Sequence, residues 1–173
     1  MTSFLATILL CVFPLLMIYA ALSDLFTMTI PNRISLVLIG AFLAILPFSG
    51  LDLHTIGLHF AVAFGVLVVG MCCFAMGWAG GGDVKLAAAT TLWLGLGSLA
   101  EYFLYTALLG GGVTLMLVLF RSQPLLPFLY RYDWMQRLHS KTTGIPYGVA
   151  LGIAALIVYP ETGWVRSALA LTS

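Results

Sequence analysis

The sequence predicts an all-α membrane protein, a bundle of about six transmembrane helices, from three observations. The chain has 173 residues, of which 62% are hydrophobic and 8% are charged. Its mean hydropathy is +1.11. The apolar residues also occur in long runs, which Gly, Pro and charged residues separate. Because six acidic residues cannot cover a soluble globule with charge, the bilayer must be the solvent of this chain.

Six apolar runs define the predicted helices, and we take residues 1–173 as one domain. The runs are 4–22, 34–48, 56–78, 86–99, 102–120 and 145–159. Several are shorter than the ~20 residues that a straight crossing needs, so we expect these helices to extend into flanking polar residues or to cross a thinned bilayer. The first run lacks the basic flank and cleavage site of a signal peptide, so we expect it to be retained as a span.

Short breaks separate the runs. Pro31-Asn32 opens the second run, Ser49-Gly50 closes it, and Gly80-Gly81-Gly82 separates the third from the fourth. A further triplet, Gly110-Gly111-Gly112, falls inside the fifth run. Small residues let neighbouring membrane helices approach closely, so this triplet predicts close packing, with a hinge as the alternative.

The basic residues predict the orientation. The segments after the first, third and fifth runs contain six cations, whereas the opposite segments and the C-terminal tail contain only Arg166. The six are Arg33, Lys85, Arg121, Arg131, Arg137 and Lys141. Cytoplasmic loops of membrane proteins are enriched in Lys and Arg, so we expect the N-terminus outside and these segments in the cytoplasm.

The predicted cytoplasmic loop 121–144 mixes four cations with aromatic and aliphatic residues such as Phe128, Tyr130 and Trp134. This composition is typical of a segment on the membrane surface, where cations meet anionic headgroups. A role in substrate recognition or gating is the alternative.

Several classes of function are disfavoured. A net charge of +1 with dispersed cations argues against nucleic acid as a partner. Cys11, Cys72 and Cys73 form no CxxC pair and lie inside apolar runs, so we interpret them as packing residues. The three histidines fall at separate places, and we predict neither a metal site nor a cofactor.

Two aspartates are the main indication of function. Asp24 and Asp83 lie at edges of apolar runs that the predicted topology places at the same membrane face. A carboxylate at a membrane edge is costly unless it is paired, hydrated or used. Two carboxylates that share a proton can activate water for hydrolysis, one as base and the other as acid. We predict that Asp24 and Asp83 are catalytic, and expect the bundle to bring them together.

Residues beside the two aspartates are candidates for shaping the site. Gly80, Gly81 and Gly82 lack a Cβ and would let an extended peptide approach the main chain beside Asp83. The alternative is an ordinary turn in which Asp83 caps a helix. Lys85 would supply positive potential or contact phosphates, and its alternative is snorkelling to the interface.

These residues match a known pattern. It consists of Asp24 followed by Ile30-Pro31-Asn32, then Gly80-Gly81-Gly82-Asp83-Val84-Lys85, then Pro146-Tyr147-Gly148 at the last run. The combination resembles the type IV prepilin peptidases, membrane aspartic proteases of the GxGD class, over nearly the whole chain. The resemblance implies that Asp24 and Asp83 are catalytic and that Pro31, Asn32, Pro146, Tyr147 and Gly148 shape the site.

The resemblance also implies the substrate. Such enzymes remove the short basic leader of a prepilin at the cytoplasmic face of the bacterial inner membrane, just before the hydrophobic helix of the pilin. Larger members carry a cytoplasmic domain with paired CxxC motifs after the first span and also N-methylate the new terminus. Only eleven residues separate Leu22 from Ile34 here, so we expect no methylation and a similarity to the small branch that serves Flp-type pili. An archaeal preflagellin-type peptidase is the nearer family alternative.

Other classes of function remain open. Membrane aspartates also act as proton relays, so a small proton- or ion-coupled transporter is the second hypothesis. A proton relay would place acidic groups at several depths in the membrane, whereas the interiors of these apolar runs contain almost no ionisable residues. The third hypothesis is a structural membrane subunit whose aspartates only cap or hydrate helix ends. The predicted partners are a prepilin and the lipid bilayer, with a homodimer left open.

Overall fold

The computed structural model describes residues 2–163 and 165–166, with side chains from residue 10 onward. It contains seven α-helices in this part of the chain: α1 Thr2–Thr27, α2 Asn32–Ser49, α3 Leu53–Ala75, α4 Gly81–Leu94, α5 Leu99–Ser122, α6 Asp133–His139 and α7 Tyr147–Val158. Two short 3-10 helices cover Pro127–Arg131 and Tyr159–Glu161. No strand occurs in the described ranges, so the predicted all-α membrane fold is confirmed.

The helices differ in length. Within the described residues, α1 (over Leu10–Thr27), α2, α3 and α5 are long and apolar enough to cross a membrane. The other two apolar helices are shorter, since α4 has 14 residues and α7 has 12. At about 1.5 Å per residue they extend roughly 21 and 18 Å. The division into six spans therefore stays a prediction, although each predicted run overlaps mainly with one helix.

The fourth helix is displaced from its predicted range of 86–99. It begins at Gly81, so Asp83 lies within its first turn. It ends at Leu94 because Gly95 adopts φ 71°, a left-handed conformation that glycine tolerates and that stops a helix. Both ends of the helix therefore lie earlier in the sequence than predicted, and the helix includes Asp83.

The two short helices occupy the centre of the bundle. Helix α4 packs against α2, α3 and α7, and α7 packs against α1, α4 and α5. Every residue of α4 from Leu86 to Leu94 is buried. A helix that is buried on all sides is enclosed by its neighbours, and the longer helices provide this enclosure. The first turns of α4 and α7 are thus positioned from several directions.

An aromatic cluster holds the end of α4 that is remote from Asp83. The fully buried Trp93 ring lies 5.2 Å from Phe13 and 5.7 Å from Phe42, measured between centroids. Its indole N–H donates to the carbonyl of Leu38 at 3.0 Å. Such ring pairs contribute ~0.5 to 1.5 kcal/mol each beyond area burial. The buried His59 ring bonds to the carbonyl of Leu92 at 2.7 Å, which gives this histidine a structural role.

Glycines allow close contact between helices at several points. A Cβ at Gly152 would lie 2.9 Å from the Met17 carbonyl oxygen and 3.1 Å from the Ala21 Cβ, so α7 touches the backbone of α1. A Cβ at Gly110 would lie 2.6 Å from the Tyr147 ring, whereas Gly111 and Gly112 have no atom within 4 Å. Close packing within the 110–112 triplet is therefore confirmed for the first glycine.

The segment after α5 folds back against the end of α1. The Arg121 guanidinium donates to the carbonyls of Leu138 and Gly144, each at 2.8 Å. Arg137 donates to the carbonyl of Phe26 at 3.1 Å, and the Phe26 and Trp134 rings meet edge to face at 5.1 Å. Four large apolar side chains of this segment remain exposed: Leu126, Phe128, Tyr130 and Tyr132. The segment therefore borders the helix end that carries Asp24.

The contact between α7 and α1 generates a testable prediction. We expect Gly152→Ala to lower the free energy of unfolding by about 1 to 3 kcal/mol, because the added methyl overlaps the Met17 backbone. For a chain of this size that corresponds to a fall in melting temperature of roughly 2 to 10 °C in detergent micelles. Gly111→Ala is the control, since its methyl meets open space. Equal melting temperatures for the two variants would contradict this description of the contact.

Candidate active site

Asp24 lies in the last turn of α1, and its side chain is 6% exposed. Its Oδ2 atom accepts a hydrogen bond of 2.6 Å from the backbone N–H of Gly148. Gly148 is the second residue of α7, where backbone N–H groups have no partner within the helix. The positive end of the α7 dipole therefore compensates the unfavourable position of Asp24 at the negative end of its own helix.

Asp83 is the third residue of α4, and Gly80 is the N-cap. The alternative in which Asp83 itself caps the helix is therefore wrong. The Asp83 carboxylate turns back toward Gly80, in the position that the third residue of a capping box occupies. A Cβ at Gly80 would lie 2.6 Å from the Asp83 Oδ2 atom, so only glycine fits there without displacing the carboxylate.

The two aspartates face one cavity of about 1060 Å³. Helices α1 and α4 each contribute one of these side chains, although the two residues are far apart in the sequence. The expected convergence of the two helix ends is present in the structure.

Ile30 connects the motifs that surround the pair. A Cβ at Gly82 would lie 3.2 Å from the Ile30 Cβ, and a Cβ at Gly148 would lie 2.7 Å from the Ile30 Cδ1. The Ile30 side chain is thus placed between the first turns of α4 and α7. Beside it, Lys85 Nζ donates to Asn32 Oδ1 at 3.1 Å. These contacts tie the segment after α1 to α4.

The predicted site residues divide into three groups. Asp24, Asp83, Gly80 and Tyr147 line the cavity. Gly81, Gly82 and Gly148 approach Phe74, Ile30 and Asp24 respectively, so they serve contacts within the protein. Pro31 and Pro146 lie outside the cavity lining and precede the first residues of α2 and α7, where their fixed φ suits a helix start. Lys85 and Asn32 also lie outside the lining, and the hydrogen bond between them is exposed.

The structure also places residues in the site that the sequence analysis missed. Met28 lines the cavity directly after α1 and adopts φ 55°, a left-handed conformation that is unusual for a residue with a side chain. Cys73, which the sequence analysis interprets as a packing residue, lies on the cavity wall. The sequence contained a signal for this wall, because residues at regular spacing share one face of α3: Val62, Val66, Val69 and Cys73.

The arrangement is suited to proton transfer at a reacting group in the cavity. It combines one carboxylate held by a backbone N–H, a second carboxylate nearby, and apolar walls. Within the described residues, no three His, Cys, Asp or Glu side chains lie together as they would in a metal centre. Two carboxylates with different surroundings can act as acid and base.

Comparisons with known proteins identify the family of the chain. The family model of the type IV leader peptidases matches residues 11–115, more than half of the chain, and both aspartates lie in this range. A prepilin leader peptidase/N-methyltransferase of Bacillus subtilis (strain 168) is 36% identical over 99 residues, which are 57% of this chain and 40% of that protein. The match thus spans less than half of that relative. No solved structure matches the chain.

The backbone at Met28 provides a test of the geometry. We expect Met28→Gly to raise the melting temperature in detergent by a few degrees, because a left-handed residue with a Cβ costs roughly 1 kcal/mol or more. Met28→Ala is the control: it removes the same long side chain but keeps the Cβ and the strain. A gain in Met28→Ala as large as that in Met28→Gly would contradict the left-handed conformation.

Proposed function

We propose that this chain, which belongs to the type IV leader peptidase family, is a membrane aspartic endopeptidase that removes the basic leader of prepilins. The observation that carries the proposal is the meeting of Asp24 and Asp83 at one cavity. The family match supports the reaction class, and the Bacillus subtilis relative is a prepilin leader peptidase.

The proposed mechanism uses water as the nucleophile. One carboxylate is ionised and takes a proton from a water molecule, while the other is neutral and protonates the carbonyl oxygen of the scissile bond. The tetrahedral intermediate then collapses as a proton passes to the leaving amine. The bond from Gly148 N–H fixes the orientation of the Asp24 carboxylate, which keeps the pair aligned during both steps.

We also propose that the site faces the cytoplasm and that the N-terminus lies outside. The support is the distribution of charge at the helix ends. Arg33 is the second residue of α2, Lys85 follows Asp83 by two residues in α4, and Arg137 contacts the end of α1. A cluster of cations at one end of a bundle is typical of the cytoplasmic side. The host membrane would be the bacterial inner membrane.

The proposed substrate is a prepilin of the Flp type, cut without N-methylation. Residues 28–31 alone connect α1 to α2, so no domain is inserted at the place where the larger enzymes carry their CxxC motifs. The segment 121–144 adjoins the site through the contacts of Arg137 and Trp134 with Phe26. Its exposed aromatic residues and cations would meet the headgroups near the point where the leader enters.

The decisive test replaces each aspartate. We expect Asp24→Asn and Asp83→Asn each to reduce leader removal at least 100-fold, because loss of a general acid or base typically costs about 10²- to 10⁴-fold. The measurement is the mass shift of a Flp-type prepilin co-expressed with each variant. Asp52→Asn is the matched control, since Asp52 is exposed at the N-cap position of α3 and does not line the cavity.

Processing that persists in either folded, membrane-inserted aspartate variant would remove that residue from the catalytic pair. Proton flux in vesicles that contain the wild-type chain, together with absent cleavage, would favour the transporter hypothesis instead.

A further inference from the structure

The cavity at the aspartates continues as a groove along α3. Six residues on one face of α3 line it: Val62, Gly65, Val66, Val69, Gly70 and Cys73. Each lies three or four residues from another member of the set, as residues on one face of a helix do, so they form a continuous stripe. At about 1.5 Å per residue the stripe is roughly 16 Å long. The groove thus extends far beyond the space that two carboxylates and a water molecule need.

Three other helices line the groove. They contribute Val84 and Ala87 of α4, Leu99 and Phe103 of α5, and residues of α7 that include Leu151. Among the elements of the described chain, α3 packs extensively on α4 but not on α5. Helix α3 is also the most apolar of the four candidate spans, with a mean hydropathy of 2.3, and only 6% of it is buried. An apolar groove is therefore open between α3 and α5.

We propose that this groove binds the hydrophobic helix of the prepilin, the segment that follows the scissile bond; the inference rests on the proposed function. The groove is continuous with the aspartates, and among the described residues Asp24 and Asp83 are the only charged ones that line it. At about 1.5 Å per residue, the stripe on α3 is long enough to contact roughly eleven residues of an occupying helix. The start of the substrate helix would then lie at the carboxylates, with the extended leader outside.

The glycines of α3 support a helical occupant. A Cβ at Gly70 would lie 2.6 Å from the Val84 Cγ1, so Gly70 serves the packing of α3 on α4. Gly65 has no atom within 4 Å of the corresponding position, and contacts within the protein therefore do not require a glycine there. Small residues let membrane helices approach until their backbones touch. Gly65 provides such an approach for a helix that enters the groove.

The cysteines of the chain allow a direct test. Cys73 lines the groove, whereas its neighbour Cys72 is exposed outside it, and both lie at the same depth. One variant retains only Cys73 and another retains only Cys72, with the other two cysteines changed to alanine. Both carry Asp83→Asn, so that bound prepilin stays intact. The prepilin carries single cysteines placed successively along the first turns of its hydrophobic helix.

On oxidation in membranes, we expect the Cys73 variant to form disulfides with the prepilin at positions spaced by three or four residues. The Cys72 variant should give at least tenfold less product. Equal products from both variants, or none from Cys73, would overturn the proposal, and a lipid chain would then be the remaining occupant of the groove.

A kinetic test uses Gly65→Leu, which fills the groove. We expect at least a tenfold fall in kcat/KM for prepilin, mainly through a higher KM, whereas Gly57→Leu on the same helix should match the wild type. Gly57 also has no atom within 4 Å of the position that a Cβ would take, but it does not line the groove. Cleavage by Gly65→Leu at the wild-type rate would overturn the proposal that the groove binds the substrate helix, but not the proposed function. A wild-type chain that cleaves no prepilin would instead overturn the proposed function.

Discussion

The hydrogen bond between the Asp24 carboxylate and the Gly148 N–H organises the site end of the bundle. It joins the C-terminus of α1 to the N-terminus of α7, two elements separated by most of the chain. A carboxylate at the end of its own helix is disfavoured by the dipole, and an unpaired N–H at the start of a helix is costly when buried. The hydrogen bond therefore offsets both costs, that of the carboxylate at the end of α1 and that of the N–H at the start of α7. Gly152, one turn further along α7, brings the same two helices into backbone contact.

The two ends of the bundle have different functions because their contacts differ. At the end remote from the aspartates, Trp93 is enclosed by aromatic rings and its N–H is bonded to Leu38. The side chains around Trp93 are close-packed at that end. At the other end, α4 and α7 begin with glycines and prolines, and a cavity opens beside their first turns. The close-packed end holds the helices in position, so that the open end can present two carboxylates to a substrate.

The fold class and the meeting of the two aspartates were predictable from the sequence, because composition selects the bilayer and because a membrane-edge aspartate has few structural explanations. The ends of the fourth helix were not predictable from hydropathy, which ignores the left-handed turn at Gly95. The groove was missed for a related reason. Val62, Gly65 and Val69 are equally suitable for contact with lipid, with a neighbouring helix or with a substrate, and only the position of α5 distinguishes these cases.

The position of Ile30 has a consequence for how this site can evolve. Its side chain touches both Gly82 and Gly148, so it sets the separation between the first turns of α4 and α7. A side chain larger than glycine at position 82 or 148 would have to displace Ile30, and at position 148 it would also meet the Asp24 carboxylate. Substitutions there must be strongly non-additive, and a viable change at one position requires a compensating change at another. The three positions are coupled through packing, although they lie in three separate segments of the chain.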